Sequence, residues 1–264
     1  MKTNEIAVGR REGNHVPVIE RMLDILEIIE RRPDGANIRE LSDFLETPRS
    51  TVYRILNTLE AREIVRRGLS GAYVLGPRLL SLAANVSIGS SSDLAGIATP
   101  HLERLSFSTG EASKLSIRDG DGVLVVATVQ GSGEYGLNIK PGRRLPLHAG
   151  AASRVLLAHL SQEEVNRVLK SALERFTDHT ISDPRKLAKE LKQVRVQGWA
   201  FDNGEYSPGV VAVAAPVQNK RGDTVAAVSI PFLSTGDDTR IAKLRTAVCN
   251  TAKAISKELA AHNL

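Results

Sequence analysis

Between Asn37 and Gly76 the apolar positions change period. Ile38, Leu41, Phe44 and Leu45, then Val52, Ile55, Leu56 and Leu59, recur at helical spacing and predict two short amphipathic helices. Asn37, with Glu40 three residues on, forms a capping box that starts the first helix. Between the two lies Glu46-Thr47-Pro48. Thr47 is placed to cap the second helix, and Pro48 suits its first turn, where no backbone N–H is needed. Two helices on so tight a connection make a helix-turn-helix. Directly behind them, Ile64 to Arg67 and Ala72 to Leu75 read as strands around the turn Gly68 to Gly71, a hairpin wing. Upstream, Pro17 opens another helix whose stripe runs through Val18, Met22, Leu23, Leu26 and Ile29, widened by Ile19, Ile25 and Ile28. It ends at Arg31-Arg32-Pro33 and Gly35 and closes a small core behind the pair.

The flanking stretches have their own patterns. Residues 1–16 are polar and without periodicity, a flexible arm that either carries no role or brings Arg10, Arg11 and His15 beside DNA. Leu79, Leu80, Leu82, Ala83 and Val86 are helically spaced until Gly89-Ser90-Ser91-Ser92 interrupts them, so 77–92 reads as a linker helix. From Asp93 a helix runs toward Gly110, bent or restarted at Pro100. Alternating strands flank Asp119-Gly120-Asp121-Gly122, and a second hairpin joins Val210–Val217 to Thr224–Pro231. Helices are expected over Ala149–Leu160, after Ser161-Gln162-Glu163-Glu164, from Asp183-Pro184 to Gly198, and through Ile241, Leu244, Val248, Ile255 and Leu259. Two hairpins among helices make 93–264 an α+β domain with an antiparallel sheet.

Composition narrows this picture. The 264 residues suit two modest domains, and 42% hydrophobic content can fill both cores. The net charge of +5 is concentrated where it matters. From Arg49 to Arg78, Arg49, Arg54, Arg62, Arg66, Arg67 and Arg78 face only Glu60 and Glu63, an excess suited to a polyanion. A structural helical pair with solvated arginines is the competing reading. Cys249, the single cysteine, excludes an intramolecular disulfide and a multi-cysteine zinc site. No apolar run approaches the roughly 20 residues of a membrane helix, and the N-terminus has no signal-peptide core, so the expectation is a cytoplasmic protein without a membrane partner.

The segment Arg39-Glu40-Leu41-Ser42, then Arg49-Ser50-Thr51-Val52-Tyr53-Arg54-Ile55-Leu56, then Tyr73-Val74-Leu75-Gly76-Pro77-Arg78-Leu79-Leu80, resembles the winged-helix domain of the IclR family of bacterial transcription regulators. The second half is similar to the same family over Leu145 to Ser153, Gly198 to Glu205, Gly209 to Val217 and Ala226 to Ile230. The resemblance implies a winged helix-turn-helix over 17–76 and a GAF-like effector-binding domain over 93–264. Arg49, Ser50, Thr51, Tyr53 and Arg54 on the second helix are able to reach phosphates or base edges, with Arg66 and Arg67 in the wing. Carried over position by position, the family's effector pocket falls on Leu137, Leu145, Ala151, Ala152, Asp202, Val210, Ala212 and Ser229. Three positions depart from the family pattern. Glu63 stands where Gly is usual, Ala212 where many members have Cys, and Pro231 where many have Ser. Also implied are operator DNA, a small-molecule effector (an organic acid, semialdehyde, lactone or aromatic acid), and a homodimer or dimer of dimers. No cofactor or metal is implied. Repression of catabolic genes is the expectation, with activation, or an adaptor that does not bind DNA, as alternatives.

Without the family, the same region still draws notice. The small residues Ala149 to Ser153 at a helix start leave N–H groups open to an acceptor, and Asp202, Asn203, Glu205 and Ser207 gather in a loop. Helix-capping and turn chemistry accounts for the same residues. Enzyme readings fare worse. Gly131-x-Gly133-x-x-Gly136 matches a dinucleotide fingerprint by letter, but Leu137 to Gly142 is no helix to receive a pyrophosphate. Cys249 reads as a packed thiol, His148 and His159 lack metal-ligand partners, and Ser153 lacks a nucleophile elbow.

Overall fold

A computed structural model describes residues 16–68, 70–84, 91–133, 137, 140–234 and 236–262, and the chain divides into two compact units, 1–87 and 88–264. The arginines and histidine of the N-terminal arm, residues 85–90 of the linker, and Gly136 of the fingerprint lie outside the described residues.

The first unit contains α1 (Pro17–Glu30), α2 (Ile38–Phe44), α3 (Arg49–Ala61), β1 (Val65–Arg67), β2 (Tyr73–Leu75) and α4 (Arg78–Ala84). The Asn37–Glu40 capping box forms, each side chain accepting from the other's backbone N–H at 3.0 and 2.9 Å. Thr47 does not cap α3. Its hydroxyl turns back to donate to the Leu45 carbonyl at 3.0 Å, while Ser42 donates to the Thr47 carbonyl at 2.7 Å. Pro48 occupies the N-cap, and no side chain among the described residues caps α3. Glu46, at φ 47°, makes the turn between the helices.

The wing is tight at its base. Glu63 holds φ 58°, the left-handed conformation that glycine adopts without strain. Gly76 passes directly over it, so close that a Cβ there would lie 2.1 Å from the Glu63 carbonyl oxygen. Ile25, Ile28 and Ile29 of α1 meet Leu41, Val52, Leu56, Val65 and Tyr73 in the core. The stripe on α1 is narrower than its sequence suggests. Val18, Ile19 and Leu23 are exposed, because the core of so small a unit reaches only the C-terminal half of the helix.

The second unit contains α5 (Ser91–Thr109), β3 (Ser113–Asp119), β4 (Gly122–Val129), β5 (Arg144–Pro146), α6 (Ala151–Ala158), α7 (Gln162–Lys170), α8 (Pro184–Gln197), β6 (Ala200–Asp202), β7 (Val210–Gln218), β8 (Thr224–Leu233) and α9 (Asp238–Ala261). The six strands form one antiparallel sheet in the order β5-β4-β3-β8-β7-β6. One face carries Leu115, Val213, Val228 and Ile230 against Leu102 of α5 and Val248 and Ile255 of α9. The other carries Val123, Val125, Ala212, Ala214 and Ala227 against α6, which lies between the sheet and Leu187, Leu191 and Val194 of α8.

Three expected boundaries move. α5 runs unbroken through Pro100, since Leu94, Ala98, Leu102 and Leu105 bury one stripe on both sides of it and packing outweighs one lost hydrogen bond. Ser91 and Ser92 belong to this helix rather than to a break. Asp202 closes strand β6 instead of lying in a loop.

Candidate DNA interface and ligand cavity

In the first unit, burying Val52, Ile55, Leu56 and Leu59 leaves the opposite face of α3 outward. Arg49, Ser50, Tyr53 and Arg54 are exposed there, and Thr51 is half-buried. Arg66 and Arg67 are exposed on the wing, but they differ in freedom. Arg67 donates to the Tyr73 hydroxyl at 2.9 Å, lies over the Tyr73 ring and approaches Glu60 at 3.6 Å. Arg49, Arg54 and Arg66 make no ion pair among the described residues. With no side-chain cap on α3, the amides of Arg49 and Ser50 join this cationic face, a seat suited to a phosphate.

In the second unit, Leu137, Leu145, Ala151, Ala152, Asp202, Val210, Ala212 and Ser229 all line one cavity of about 150 Å³. That is the size of an engineered cavity that holds benzene. Its floor follows from strand register. Asp202 pairs with Ala212, which pairs with Pro231, and one step along Ala214 pairs with Ser229, which pairs with Lys114. Its roof is the start of α6, where Gly150 at φ 105° is the N-cap and offers no side chain to the following amides. A Cβ on Gly150 would lie 3.7 Å from Ser153 Oγ and 3.9 Å from Asp202 Oδ2, so these two groups converge on the helix start.

Sequence reasoning missed four side chains here. Lys114, Arg143 and Tyr206 line the cavity, with the Arg143 guanidinium 5.5 Å above the Tyr206 ring. Burial, reinforced by the charge of Arg143, pulls the Lys114 ammonium from 10.5 down to about 8, against the opposing pull of Asp202. Arg154 lies beneath, 1% exposed, reaching Glu205 at 3.1 Å and Glu190 at 3.2 Å and donating to the Phe201 carbonyl. Glu205 in turn donates its backbone N–H to Asp202 at 2.7 Å. Arg154 thus ties α6 to the end of β6 and fixes the Asp202 carboxylate at the cavity. Burial raises the Asp202 carboxyl above its usual range, and burial carries Glu205 up to about 7 in spite of Arg154.

A signal for Lys114 existed. Leu115 and Ile117 fix one face of β3, which puts Lys114 and Ser116 on the other, and on a lone hairpin that face reads as solvent. The remaining chemical candidates fall to structural roles. His148 is buried, bonds to the Glu174 carbonyl at 2.9 Å and stacks against Phe176, and it does not cap α6. Cys249 packs half-buried in α9, where burial raises its thiol pKa. Gly131 lets the chain pass Gly110 and Ala112, since a Cβ would come within 2.6 Å of the Gly110 carbonyl oxygen. No three His, Cys, Asp or Glu side chains among the described residues are arranged to hold a metal ion, and no described helix is long and apolar enough to cross a membrane.

A winged helix-turn-helix joined to an α+β unit that encloses a cavity of small-molecule size is the build of a DNA-binding transcription regulator. Residues 18–68 match the IclR helix-turn-helix domain, and residues 86–257 match the bacterial transcriptional regulator IclR C-terminal domain. The chain belongs to the IclR family, whose members regulate transcription and are not enzymes. It is 33% identical over 253 residues to the HTH-type transcriptional regulator BhcR of Paracoccus denitrificans, covering 94% of this chain and 89% of that one. It is 31% identical over 245 residues to the HTH-type transcriptional repressor AllR of Salmonella paratyphi A, covering 91% and 89%. An IclR homolog from Microbacterium hydrocarbonoxydans, solved in complex with 4-hydroxybenzoate, superposes with a TM-score of 0.78 at 25% identity, over 92% of this chain and 99% of that one.

Proposed function

We propose that this regulator represses catabolic genes and is released from its operator by a small organic acid. The observation that carries the reading is the cavity, where the open amides at the start of α6 face the same space as Lys114 and Arg143. Amides at a helix N-terminus and two cations favour a carboxylate over a neutral aldehyde or lactone. The relative named a repressor and the homolog holding an aromatic acid point the same way.

In this reading residues 17–76 bind DNA, 77–92 link, and 93–264 sense. Arg49, Ser50, Thr51, Tyr53 and Arg54 read the major groove, and Arg66 and Arg67 hold phosphates. The exposed Leu80 and Leu82 of α4 and Val18, Ile19 and Leu23 of α1 support pairing with a second copy, which makes the operator a near-palindrome. A mobility-shift titration on the DNA flanking its own gene, at two salt concentrations and against an unrelated duplex, tests it. Tight, salt-sensitive binding to one fragment, weakened by a small acid, is the expected result. Binding strengthened by the acid would reverse the sign to activation. Absence of any preference over the unrelated duplex would leave the adaptor reading.

A further inference from the structure

Lys114 stands on a central strand of the sheet, on the face that α6 covers. It is half-buried and lines the cavity, yet among the described residues it makes neither a hydrogen bond nor an ion pair. Charged groups removed from water in folded proteins are paired or held for a ligand, because an unpaired one is costly. Its cross-strand neighbour Ser229 is fully buried and lines the same cavity, and the Ser229 hydroxyl has no hydrogen-bond partner among the described residues. The Ser153 hydroxyl, at the α6 end, is in the same condition. Unsatisfied polar groups therefore occur at two separate places on the wall, one at the helix start and one on the sheet.

The charge balance adds to this. Lys114 and Arg143 face the cavity against a single carboxylate, Asp202, which already accepts the Glu205 N–H. The wall therefore carries more positive than negative charge, and the amides at the start of α6 add to that excess. We propose that Lys114 selects the ligand by pairing with a second carboxylate, so that the cavity takes a short dicarboxylate in preference to the monocarboxylate of equal length. This rests on the acid-binding reading of the same cavity. The first carboxylate meets the amides of α6 and the second meets Lys114, with the Ser229 hydroxyl as an additional donor. A cavity of about 150 Å³ limits the ligand to a short chain.

The test is calorimetric titration of the full chain with malonate, succinate and glutarate, each against propionate, butyrate and valerate respectively, in wild type, Lys114→Met and Lys114→Arg. At least one dicarboxylate should bind wild type about tenfold more tightly than its monocarboxylate. Lys114→Met should bring that ratio to about one while the monocarboxylate still binds, and Lys114→Arg should retain part of it. A preference that survives in Lys114→Met overturns the role of Lys114. So does a wild type that binds the monocarboxylates as well or better, which leaves the acid-binding reading standing. Failure of all six acids to bind wild type overturns both. Methionine keeps most of the length of the side chain and removes the charge, and a thermal melt verifies that the variant is folded.

Discussion

Replacing Lys114 by methionine should stabilise the protein at neutral pH, and the size and pH dependence of the gain follow from the cavity. In the folded state the ammonium is held at about 8 against 10.5 for an unperturbed lysine, through burial first and the charge of Arg143 second, with Asp202 opposing. That difference corresponds to about 3 kcal/mol of cost for the charged form. Solvent at the cavity mouth screens part of it, so a gain of about 1–3 kcal/mol is expected for Lys114→Met. The sign is fixed by proton counting. Between pH 8 and 10.5 the unfolded chain holds more protons on Lys114 than the folded one, so wild-type stability rises with pH across that window. The advantage of methionine is therefore full below pH 8 and gone above 10.5. Urea unfolding of both proteins at pH 7, 8.5 and 10, analysed as the difference between them, gives the measurement. A methionine variant less stable than wild type at pH 7, or a difference that stays constant through pH 10, would refute the unpaired, desolvated lysine.

Other sites yield independent tests. Glu205 titrates near 7 when folded and 4.5 when unfolded, so it lowers stability as pH climbs between those values; Glu205→Gln should flatten that decline by up to about 3 kcal/mol, read from urea midpoints at pH 4.5 and 7. Glu63→Gly should raise the melting temperature, relieving about 1 kcal/mol of left-handed strain at the base of the wing, whereas a lower melting temperature would mean that the glutamate side chain matters more than its backbone. Arg54→Ala should weaken operator binding and reduce the slope of log affinity against log salt by about 1, an unchanged slope removing Arg54 from the phosphate contacts.

The two halves of the chain were not equally legible. In the first, capping, turn and periodicity signals act within a few residues of one another, so the helix pair and wing can be read directly. Even there Thr47 escaped, because its hydroxyl satisfied the turn of Glu46 rather than the amides of α3. In the second half the hairpins were legible and the layering was not. Lys114 and Arg154 stand in no local pattern that marks them, since nothing local reveals that α6 covers one face of the sheet and that α8 covers α6. The eight residues carried over by resemblance do surround one space, yet its charged groups are the ones that local patterns could not find.

What the sequence determined by itself is the kind of most of the longer elements and the concentration of arginine on α3 and the wing. Periodicity, capping and turn preference arise from interactions across three or four residues, and these are written in the order of the chain. Only the tertiary structure decided that Lys114 would stand opposite Ser229 with no ion pair among the described residues, that Arg154 would be buried between Glu190 and Glu205, and that the start of α6 would open onto both cavity cations. Those facts depend on which strands pair and which helix covers them. The energies responsible, burial and charge at close range, act between residues far apart in the chain and near in space.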